Sequence, residues 1–341
     1  MLGLRERGHR AVLLAHPAGE LFRRAAEGPD LYPLAPKSEI DLATAWKLSK
    51  IVRQWRPQIV HAHDPHAVTM AALALSFAAP EPRPQIIASR RVDFHLQSHT
   101  FSQWKYRQVD GFIAASQAIK DVLVQDRIPS GRIDVVHDGI DVAKIQNRPA
   151  IDVHAEYWLP HGVPVIVNVG ALVGHKGQRY LVEAMPLMLR EIPDAHLIIF
   201  GEGELRSALE RQVKHLSLTK RVLLPGFRED VLSLMKTADL FVMSSVTEGL
   251  GSAVLDAMAM GLAVVGTTAG GIPEVVVPDV TGELVPPSEP QPLAAAMVKL
   301  LKDPDLRRLY GAAGRRHVAE NFGVDRLVEG TLTCYRRFFQ G

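Results

Sequence analysis

The sequence predicts an α/β fold with two Rossmann-like domains, each built on a parallel sheet. The stretch 240–274 runs through strand, loop, helix, strand, loop and helix, which is half of a doubly wound domain. A similar order of strand, glycine-rich loop and helix begins at Val165. The chain has 341 residues and 47% hydrophobic content, enough for two domains with sizeable cores.

Composition excludes several classes of protein. The formal net charge of +2 gives no reason to expect nucleic acid as a partner. The single cysteine, Cys334, excludes an internal disulfide framework and fits a reducing compartment. No apolar run approaches the length of a membrane span, and the first residues lack the apolar core of a signal peptide. We therefore expect a cytoplasmic globular protein.

Within the stretch 240–274, each element has a local sequence cause. Leu240 to Met243 is an apolar run of strand length. Ala253 to Met260 predicts a short helix, with Ser252 as its N-cap and Gly261 just past its end. Leu262 to Gly266 is a second buried strand, and a glycine pair then leads into another helix.

Two acidic residues lie at the loops of this stretch, where open parallel sheets bind ligands. Glu248 precedes the helix, and Asp256 lies one turn inside it. The amides near Gly251 and Ser252 make the helix start suitable for a phosphate, whereas carboxylates suit hydroxyl groups. A ligand with phosphates and diols is a nucleotide sugar. An equally open interpretation is that both acids only favour the helix N-terminus by their charge.

A glycine-rich loop after the strand Val165 to Val169 offers a second phosphate contact. The loop runs from Gly170 to Gly177, and Lys176 stands at the start of the next helix. The loop is not a Walker motif, because Gln178 occupies the place of the Ser or Thr that would bind magnesium.

In the N-terminal half, two predicted strands end in polar residues. The strand Gln58 to Ala62 runs into HAHDPH, and the strand Gln85 to Ser89 runs into SRRVDFH. The histidines of the first string allow a metal site, but an ordinary helix entry explains them better. The second string is either a ligand-facing site or a solvated basic loop. The polar residues concerned are His61, His63, Asp64, His66, Arg90, Arg91 and His95.

The string EGLGSAVLDAMAMG, followed by GGIPE, resembles the donor-site signature of family 4 retaining glycosyltransferases, which have the GT-B fold. The resemblance extends over essentially the whole chain and includes lipopolysaccharide-type bacterial hexosyltransferases. It implies two Rossmann-like domains that face a cleft. The chain departs from the pattern twice: Asp256 stands at the second acidic position, where the family has Glu, and Ala171 stands where it has an Arg.

The resemblance implies a role for each candidate residue. Glu248 would hold the donor sugar, Asp256 the ribose, and Lys176 the diphosphate. The implied catalytic residues are Glu248, Lys176, Arg91 and His95, with His63, Asp64 and Arg90 on the acceptor side. The implied donor-binding residues are Gly170, Lys176, Arg228, Glu248, Gly249, Leu250, Gly251, Ser252, Asp256 and Gly271. No metal and no cofactor is implied beyond a UDP-, GDP- or ADP-sugar donor.

The resemblance also suggests domain boundaries. An acceptor-side domain would span residues 1–147, a nucleotide-sugar domain 150–323, and a C-terminal helix at about 324–341 would pack back on the first domain. The chain opens inside a helix, so the family's first strand and glycine loop are missing from this sequence. Without that strand, its neighbours, the predicted strands Ala11 to Ala15 and Gln58 to Ala62, would have unpaired edges. We therefore expect the chain to be poorly folded in its N-terminal domain, or inactive, or both.

The predicted function is transfer of a sugar, with retention of configuration, to a glycan or lipid-linked acceptor in cell-envelope polysaccharide synthesis. The resemblance also allows peripheral contact with the inner membrane. Two alternatives stay open: a nucleotide-sugar-binding homologue or partner subunit with impaired catalysis, and a GT-B-fold nucleotide-sugar epimerase. The two departures, Ala171 and Asp256, and the missing strand favour the first alternative.

Overall fold

The computed structural model describes residues 1–25, 30–97 and 99–339. Contacts divide the chain into two compact units. The first unit takes the chain as far as Ala115, then Ile119–Val136 and the C-terminal segment from Val324. The second unit takes Ser116–Ala118 and His137–Gly323.

Residues 137–147 group with the second unit, although the sequence boundary placed them in the first domain. The physical reason is local packing. The backbone N–H of Ile140 donates to the Phe322 carbonyl at 2.8 Å, and Ile145 is buried in a core cluster of the second unit. The exact domain boundaries stay a prediction.

As far as residue 136, helices and strands alternate along the chain. The predicted strand Ala11 to Ala15 is shorter than expected, because only its last three residues form ladder hydrogen bonds. The elements are α1 (Leu2–Glu6), β1 (Leu13–Ala15), α2 (Glu20–Arg24), β2 (Leu31–Pro33), α3 (Leu42–Trp55), β3 (Ile59–Ala62), α4 (Pro65–Ala78), β4 (Gln85–Arg90), α5 (Thr100–Arg107), β5 (Gly111–Ala114), α6 (Gln117–Gln125) and β6 (Ile133–Val135).

The first unit contains two parallel sheets. The larger has the order β3-β4-β5-β6, and β1 and β2 pair separately. The strands that we expected to flank a missing strand, β1 and β3, thus belong to different sheets. The core includes Ile86, Phe112 and Leu123, which are almost fully buried.

The remaining elements follow the same alternation. They are α7 (Val142–Gln146), α8 (Val153–Glu156), β7 (Val165–Val169), α9 (Gln178–Leu189), β8 (His196–Phe200), α10 (Arg206–His215), β9 (Val222–Gly226), α11 (Val231–Met235), β10 (Leu240–Met243), α12 (Ser252–Met260), β11 (Val264–Thr267), α13 (Ile272–Val275), β12 (Gly282–Val285), α14 (Pro290–Lys302), α15 (Pro304–Asn321) and α16 (Val324–Phe339).

The sheet of the second unit has six parallel strands in the order β12-β11-β10-β7-β8-β9. Its first strand, β7, has β8 on one side and β10 on the other, so the chain reverses its direction of winding between β7 and β10. Such a topological switch point is where doubly wound sheets bind ligands, beyond the carboxyl ends of the strands. Both β7 and β10 are buried, and except for Asn168 in β7 they are apolar, so they are close to continuous hydrophobic runs in the sequence.

The last helix, α16, belongs to the first unit. Its Tyr335 hydroxyl lies 2.6 Å from His61 Nδ1, and His61 Nε2 lies 2.8 Å from Ser89 Oγ. At the other end of the helix, Arg7 forms ion pairs with Asp325 and with Glu329. These contacts hold α16 against β3, β4 and α1.

Cys334 on α16 offers a direct test of this packing. Its thiol is 1% exposed, and burial raises the thiol pKa, so little thiolate forms and reagents have no access to it. We expect iodoacetamide to leave the native protein unlabelled and to alkylate Cys334 stoichiometrically in urea. Mass spectrometry measures both states. Rapid labelling without denaturant would show that α16 does not stay packed.

Candidate active site

Backbone contacts join the loops that follow β7 and β10. The Val246 N–H donates to the His175 carbonyl at 2.7 Å. Gly177 has a positive φ of 63°, and a Cβ there would overlap the Ser244 carbonyl oxygen. The glycine at this position therefore lets the two loops touch at the switch point.

The loop after β11 packs on the loop after β10 in the same way. A Cβ on Gly270 would overlap the Glu248 carbonyl oxygen, and one on Gly271 would overlap that of Gly249. The Gly271 N–H also donates to the Glu248 carbonyl at 3.0 Å. The glycine pair is thus a support for the Glu248 backbone, since only glycine permits so close an approach.

Two predicted site residues form an ion pair at the switch point. Lys176 Nζ lies 2.6 Å from Glu248 Oε2, and their side chains are 19% and 11% exposed. Ser245 Oγ donates to the same Oε2 at 2.9 Å. Within the part of the chain that the structure describes, Oε1 of Glu248 accepts no hydrogen bond, so it is the oxygen that can accept one from a ligand hydroxyl.

Sequence reasoning did not single out Ser245. It is fully buried, and its carbonyl accepts a hydrogen bond from Thr267 Oγ1 at 2.6 Å. The side chain can therefore orient the Glu248 carboxylate from a fixed backbone. The available signal was a polar residue two positions after the end of a buried strand and three positions before Glu248.

Helix α12 begins one residue earlier than predicted. Ser252 is its first residue and not its N-cap, and no side-chain hydrogen bond caps the helix. The N-cap position belongs to Gly251. Its φ of 96° is a backbone conformation that glycine adopts at little cost and that other residues rarely adopt. Leu250, just before it, is buried in the core. The first amides of α12 are thus left without a capping side chain.

Asp256 has a different neighbour from Glu248. Burial raises the pKa of the Asp256 carboxyl to about 6, and the nearby charge of Arg148 opposes this shift only in part. The carboxyl therefore titrates close to neutral pH. Arg148 Nε is itself buried without a hydrogen-bond partner among the described residues.

The other candidates of the second unit have the following surroundings. Gly170 is close to Lys176, because a Cβ on Gly170 would be 3.7 Å from Lys176 Cδ. Ala171, at the position where the resemblance expects Arg, is exposed. Arg228 forms ion pairs with Asp230 at 2.8 Å and Glu156 at 2.6 Å. Its guanidinium is thus held by two carboxylates, and its role in donor binding stays a prediction.

In the first unit, the polar residues after β3 and β4 collect around a small cavity. Its volume is about 20 Å³, and its polar lining includes Asp64, Ser89, Arg90 and Tyr106. Arg90 donates to the Phe94 carbonyl, while its Nε is buried without a partner among the described residues. Such a cavity holds roughly one water-sized group. Asp64 also caps α4 by accepting the Ala67 N–H at 2.8 Å.

The remaining first-unit candidates lie nearby. The His61 and His63 rings stack with centroids 4.1 Å apart. Arg91 is close enough that its charge adds to the burial that lowers the pKa of His61 and His63. His95 Nδ1 pairs with Asp126 at 2.7 Å.

Neither a metal cluster nor a membrane span occurs in residues 1–25, 30–97 and 99–339. No three His, Cys, Asp or Glu side chains there are grouped so that they could hold a metal ion. No helix over the same residues has the length and apolar content needed to cross a bilayer.

Replacing Gly270 with alanine is expected to abolish donor binding and to lower the melting temperature by several degrees, because the new methyl group would displace the Glu248 backbone. Nucleotide-sugar titration and thermal unfolding measure both effects. Gly162→Ala is the matched control, since Gly162 also has a positive φ but open space around its Cα. Equal donor affinities and equal melting temperatures of the two variants would show that backbone strain alone causes the effects, and that the contact with the Glu248 backbone does not contribute.

Comparison with known proteins identifies the family of the chain. The family model of glycosyl transferases group 1 matches residues 152–317, and that of glycosyltransferase family 4 matches residues 1–144. N-acetyl-alpha-D-glucosaminyl L-malate synthase of Bacillus anthracis is 27% identical over 97% of this chain and 90% of its own. A GDP-mannose-dependent monoacylated alpha-(1-6)-phosphatidylinositol monomannoside mannosyltransferase of Corynebacterium glutamicum is 39% identical over 46% of this chain and 42% of its own.

Solved structures show the same fold. A glycosyltransferase from Rickettsia africae superposes with a TM-score of 0.86, at 19% identity over 99% of this chain and 93% of its own. Anabaena Alr3699/HepE in complex with UDP-glucose gives a TM-score of 0.78, at 23% identity over 94% of this chain and 90% of its own. The two family models together with this shared GT-B fold establish that the chain belongs to the family 4, group 1 glycosyltransferases.

Proposed function

We propose that this glycosyltransferase moves a sugar from a nucleoside-diphosphate sugar to an acceptor hydroxyl with retention of the anomeric configuration. The observation that carries the proposal is the Lys176–Glu248 pair at the switch point of the second unit. A fixed cation suits the diphosphate, and a carboxylate with one open oxygen suits the sugar hydroxyls.

In the reaction, the bond between the anomeric carbon and the diphosphate oxygen breaks, and the acceptor oxygen bonds to that carbon. The acceptor proton goes to the leaving diphosphate. Lys176 stabilises the negative charge that develops on the diphosphate, and the uncapped amides of α12 add to this stabilisation. Glu248 orients the sugar, Ser245 orients Glu248, and Asp256 accepts a hydrogen bond from the ribose.

The donor class also has support from similar proteins. The mannosyltransferase of C. glutamicum is named as GDP-mannose-dependent, and HepE was solved with UDP-glucose. We propose a UDP-, GDP- or ADP-sugar for this chain. Calorimetry with UDP, GDP and ADP, followed by the matching sugars, identifies the nucleotide first and the sugar second.

The acceptor is proposed to be a glycan or a lipid-linked molecule that binds near the cavity of the first unit. Asp64 and Arg90 line that cavity, His63 lies in the same loop region, and Arg91 and His95 follow β4. The named acceptors of similar proteins include L-malate and a phosphatidylinositol mannoside, so the family tolerates acceptors of very different size.

The decisive experiment measures donor turnover with and without acceptors and determines the anomeric configuration of the product by NMR. Inversion of configuration would contradict the proposed mechanism. Tight donor binding without any transfer would favour the impaired binding homologue, and C2 inversion of the free nucleotide sugar would favour an epimerase.

We propose that no metal is needed, because Lys176 supplies the positive charge that the diphosphate requires. Loss of activity in EDTA and its return with manganese would contradict this.

A further inference from the structure

The motif GGIPE ends in Glu274, a carboxylate to which the proposed reaction gives no role. Glu274 lies in α13, and its side chain is 22% exposed. Its Oε2 accepts a hydrogen bond from the Gln117 N–H at 2.9 Å, and its Oε1 accepts one from the Ala118 N–H at 3.1 Å. These two amides open α6, where backbone N–H groups have no acceptor within their own helix. Both carboxylate oxygens are thus fixed by backbone groups.

A histidine gives Glu274 a third partner. His137 Nε2 lies 2.8 Å from Glu274 Oε2, and the His137 ring also contacts the ring of Phe322, which is 3% exposed. Burial alone would raise the pKa of the Glu274 carboxyl, but the hydrogen bonds from His137 and from the two amides lower it below its usual value. An ionised carboxylate only accepts hydrogen bonds, so Nε2 is a protonated nitrogen of His137. All of these residues belong to the second unit.

Two backbone hydrogen bonds connect this anchor to Glu248. The Glu274 N–H donates to the Gly271 carbonyl at 3.0 Å, and the Gly271 N–H donates to the Glu248 carbonyl at 3.0 Å. Helix α13 has four residues, and a helix this short has little stability of its own. Its position therefore depends on contacts outside it. The buried side chains of Ile272 and Val275 supply apolar contacts, and the Glu274 carboxylate supplies polar ones.

We propose that Glu274 is a positioning residue for the donor sugar. It fixes the turn 270–275, this turn fixes the Glu248 backbone, and Glu248 holds the sugar hydroxyls through its open oxygen. The inference rests on the proposed function and deepens it, because it assigns the placement of the sugar-binding carboxylate to one residue. It predicts a specific signature. Loss of Glu274 should weaken the binding of a nucleotide sugar and spare that of the nucleoside diphosphate, which lacks the sugar that is transferred.

Calorimetry with Glu274→Gln tests this signature. The probes are UDP with UDP-glucose, GDP with GDP-mannose and ADP with ADP-glucose, and the pair that the unchanged protein binds best is used. The Gln side chain has nearly the same size, but its NH₂ group cannot accept a hydrogen bond from an amide or from His137. We expect the affinity for the nucleotide sugar to fall by roughly fivefold to tenfold, and that for the diphosphate to change by less than about twofold. Equal losses for both probes, or no loss for either, overturn the proposal.

Glu283→Gln is the matched control. Glu283 is a glutamate of the same unit with a similarly buried side chain, which is 16% exposed. It pairs with Lys299 at 2.6 Å and accepts a hydrogen bond from the Tyr310 hydroxyl at 3.1 Å. Its replacement should lower the melting temperature, as that of Glu274 does, and leave both affinities unchanged. If Glu283→Gln weakens sugar binding as much as Glu274→Gln does, the loss reflects stability and not position, and the proposal is wrong.

A double-mutant cycle with Glu248→Ala separates this inference from the proposed function. If Glu248→Ala leaves the affinity for the nucleotide sugar unchanged, the proposed sugar contact is itself wrong, and the inference falls with it. If Glu248→Ala lowers that affinity, Glu274→Gln should cause no further loss in this background, because the carboxylate that it positions is gone. A full additional loss would show that Glu274 acts elsewhere, which overturns the inference and leaves the proposed function intact.

His137→Ala is a milder change to the same anchor. It removes one of the three hydrogen bonds and keeps both backbone contacts of Glu274. We expect it to lower the affinity for the nucleotide sugar by roughly twofold to threefold, with the affinity for the diphosphate unchanged. Thermal unfolding shows which variants are folded, and His137→Ala decides the question if Glu274→Gln is not. In that case, unchanged affinities of folded His137→Ala for both probes overturn the proposal.

Discussion

Replacing Lys176 with alanine is expected to lower the affinity for the nucleotide sugar by roughly tenfold to one hundredfold. A charge-assisted hydrogen bond to phosphate is worth about 1.5–3 kcal/mol, which corresponds to that range. The turnover number should fall further, because the diphosphate gains charge as it leaves. Calorimetry with the nucleotide sugar and initial rates measure the two effects separately.

Because Lys176 also pairs with Glu248, its replacement affects stability as well as donor binding, and the two effects must be measured separately. Lys176 pairs with a Glu248 carboxylate that is only 11% exposed, so its loss leaves a poorly solvated charge without this partner. Lys176→Ala should therefore also be less stable. A double-mutant cycle with Glu248→Ala removes this contribution. In the Glu248→Ala background, the proteins with Lys176 and with Ala at position 176 both lack the ion pair, so their difference does not include it.

Lys214→Ala is the matched control for Lys176→Ala. Lys214 is an exposed lysine of the same unit, on α10, and it should affect neither binding nor rate. If Lys176→Ala binds the donor as tightly as Lys214→Ala does, the lysine makes no contact with the diphosphate. The assignment of the glycine-rich loop to phosphate binding would then be wrong.

The sequence predicts features that neighbouring residues determine, and it does not predict contacts between residues that are far apart in the chain. Buried parallel strands such as β10 and β11 are continuous apolar runs, and the loops after them are marked by glycines, so the α/β fold and its strand ends are predictable. Contacts between loops are not. Nothing local indicates that Gly270 supports the Glu248 backbone or that Ser245 donates to its carboxylate.

The same limit applies to side-chain partners. The sequence predicts Lys176 and Glu248 as separate ligand contacts, whereas the structure pairs them 72 positions apart along the chain. Arg228 was predicted beside the donor, but it pairs with Asp230, two positions along the chain, and with Glu156, whose position depends on the packing of α8. The helix start was misplaced by one residue, because the positive φ of Gly251 is a property of the folded loop.

Asp256→Asn is expected to stabilise the protein at neutral pH while weakening donor binding. The folded-state pKa of this carboxyl is raised by burial from 3.8 to about 6, so the folded protein disfavours the charged form. The unfolded chain ionises first as the pH rises. The contribution to stability is therefore near zero below about pH 4, becomes increasingly unfavourable between about pH 4 and 6, and is constant above that.

The size of the effect follows from the shift. A displacement of about two pH units corresponds to about 3 kcal/mol, and partial exposure reduces this to about 1–3 kcal/mol. Urea unfolding at about pH 7.5 should thus show the Asn variant more stable by that amount, and at about pH 4 the two proteins should be equal. Glu204→Gln, at an exposed position of the same unit, should show no such dependence.

The same substitution, Asp256→Asn, is expected to lower the affinity for the donor although it raises the stability. An amide cannot replace the ionised carboxylate as acceptor for two ribose hydroxyls at full strength, so affinity should fall by about fivefold to tenfold above pH 6. Below that pH the wild-type affinity itself should fall toward that of the variant, because Asp256 becomes protonated. Parallel pH profiles of affinity for the two proteins would show that Asp256 does not contact the nucleotide, and the burial of its charge would then have another cause.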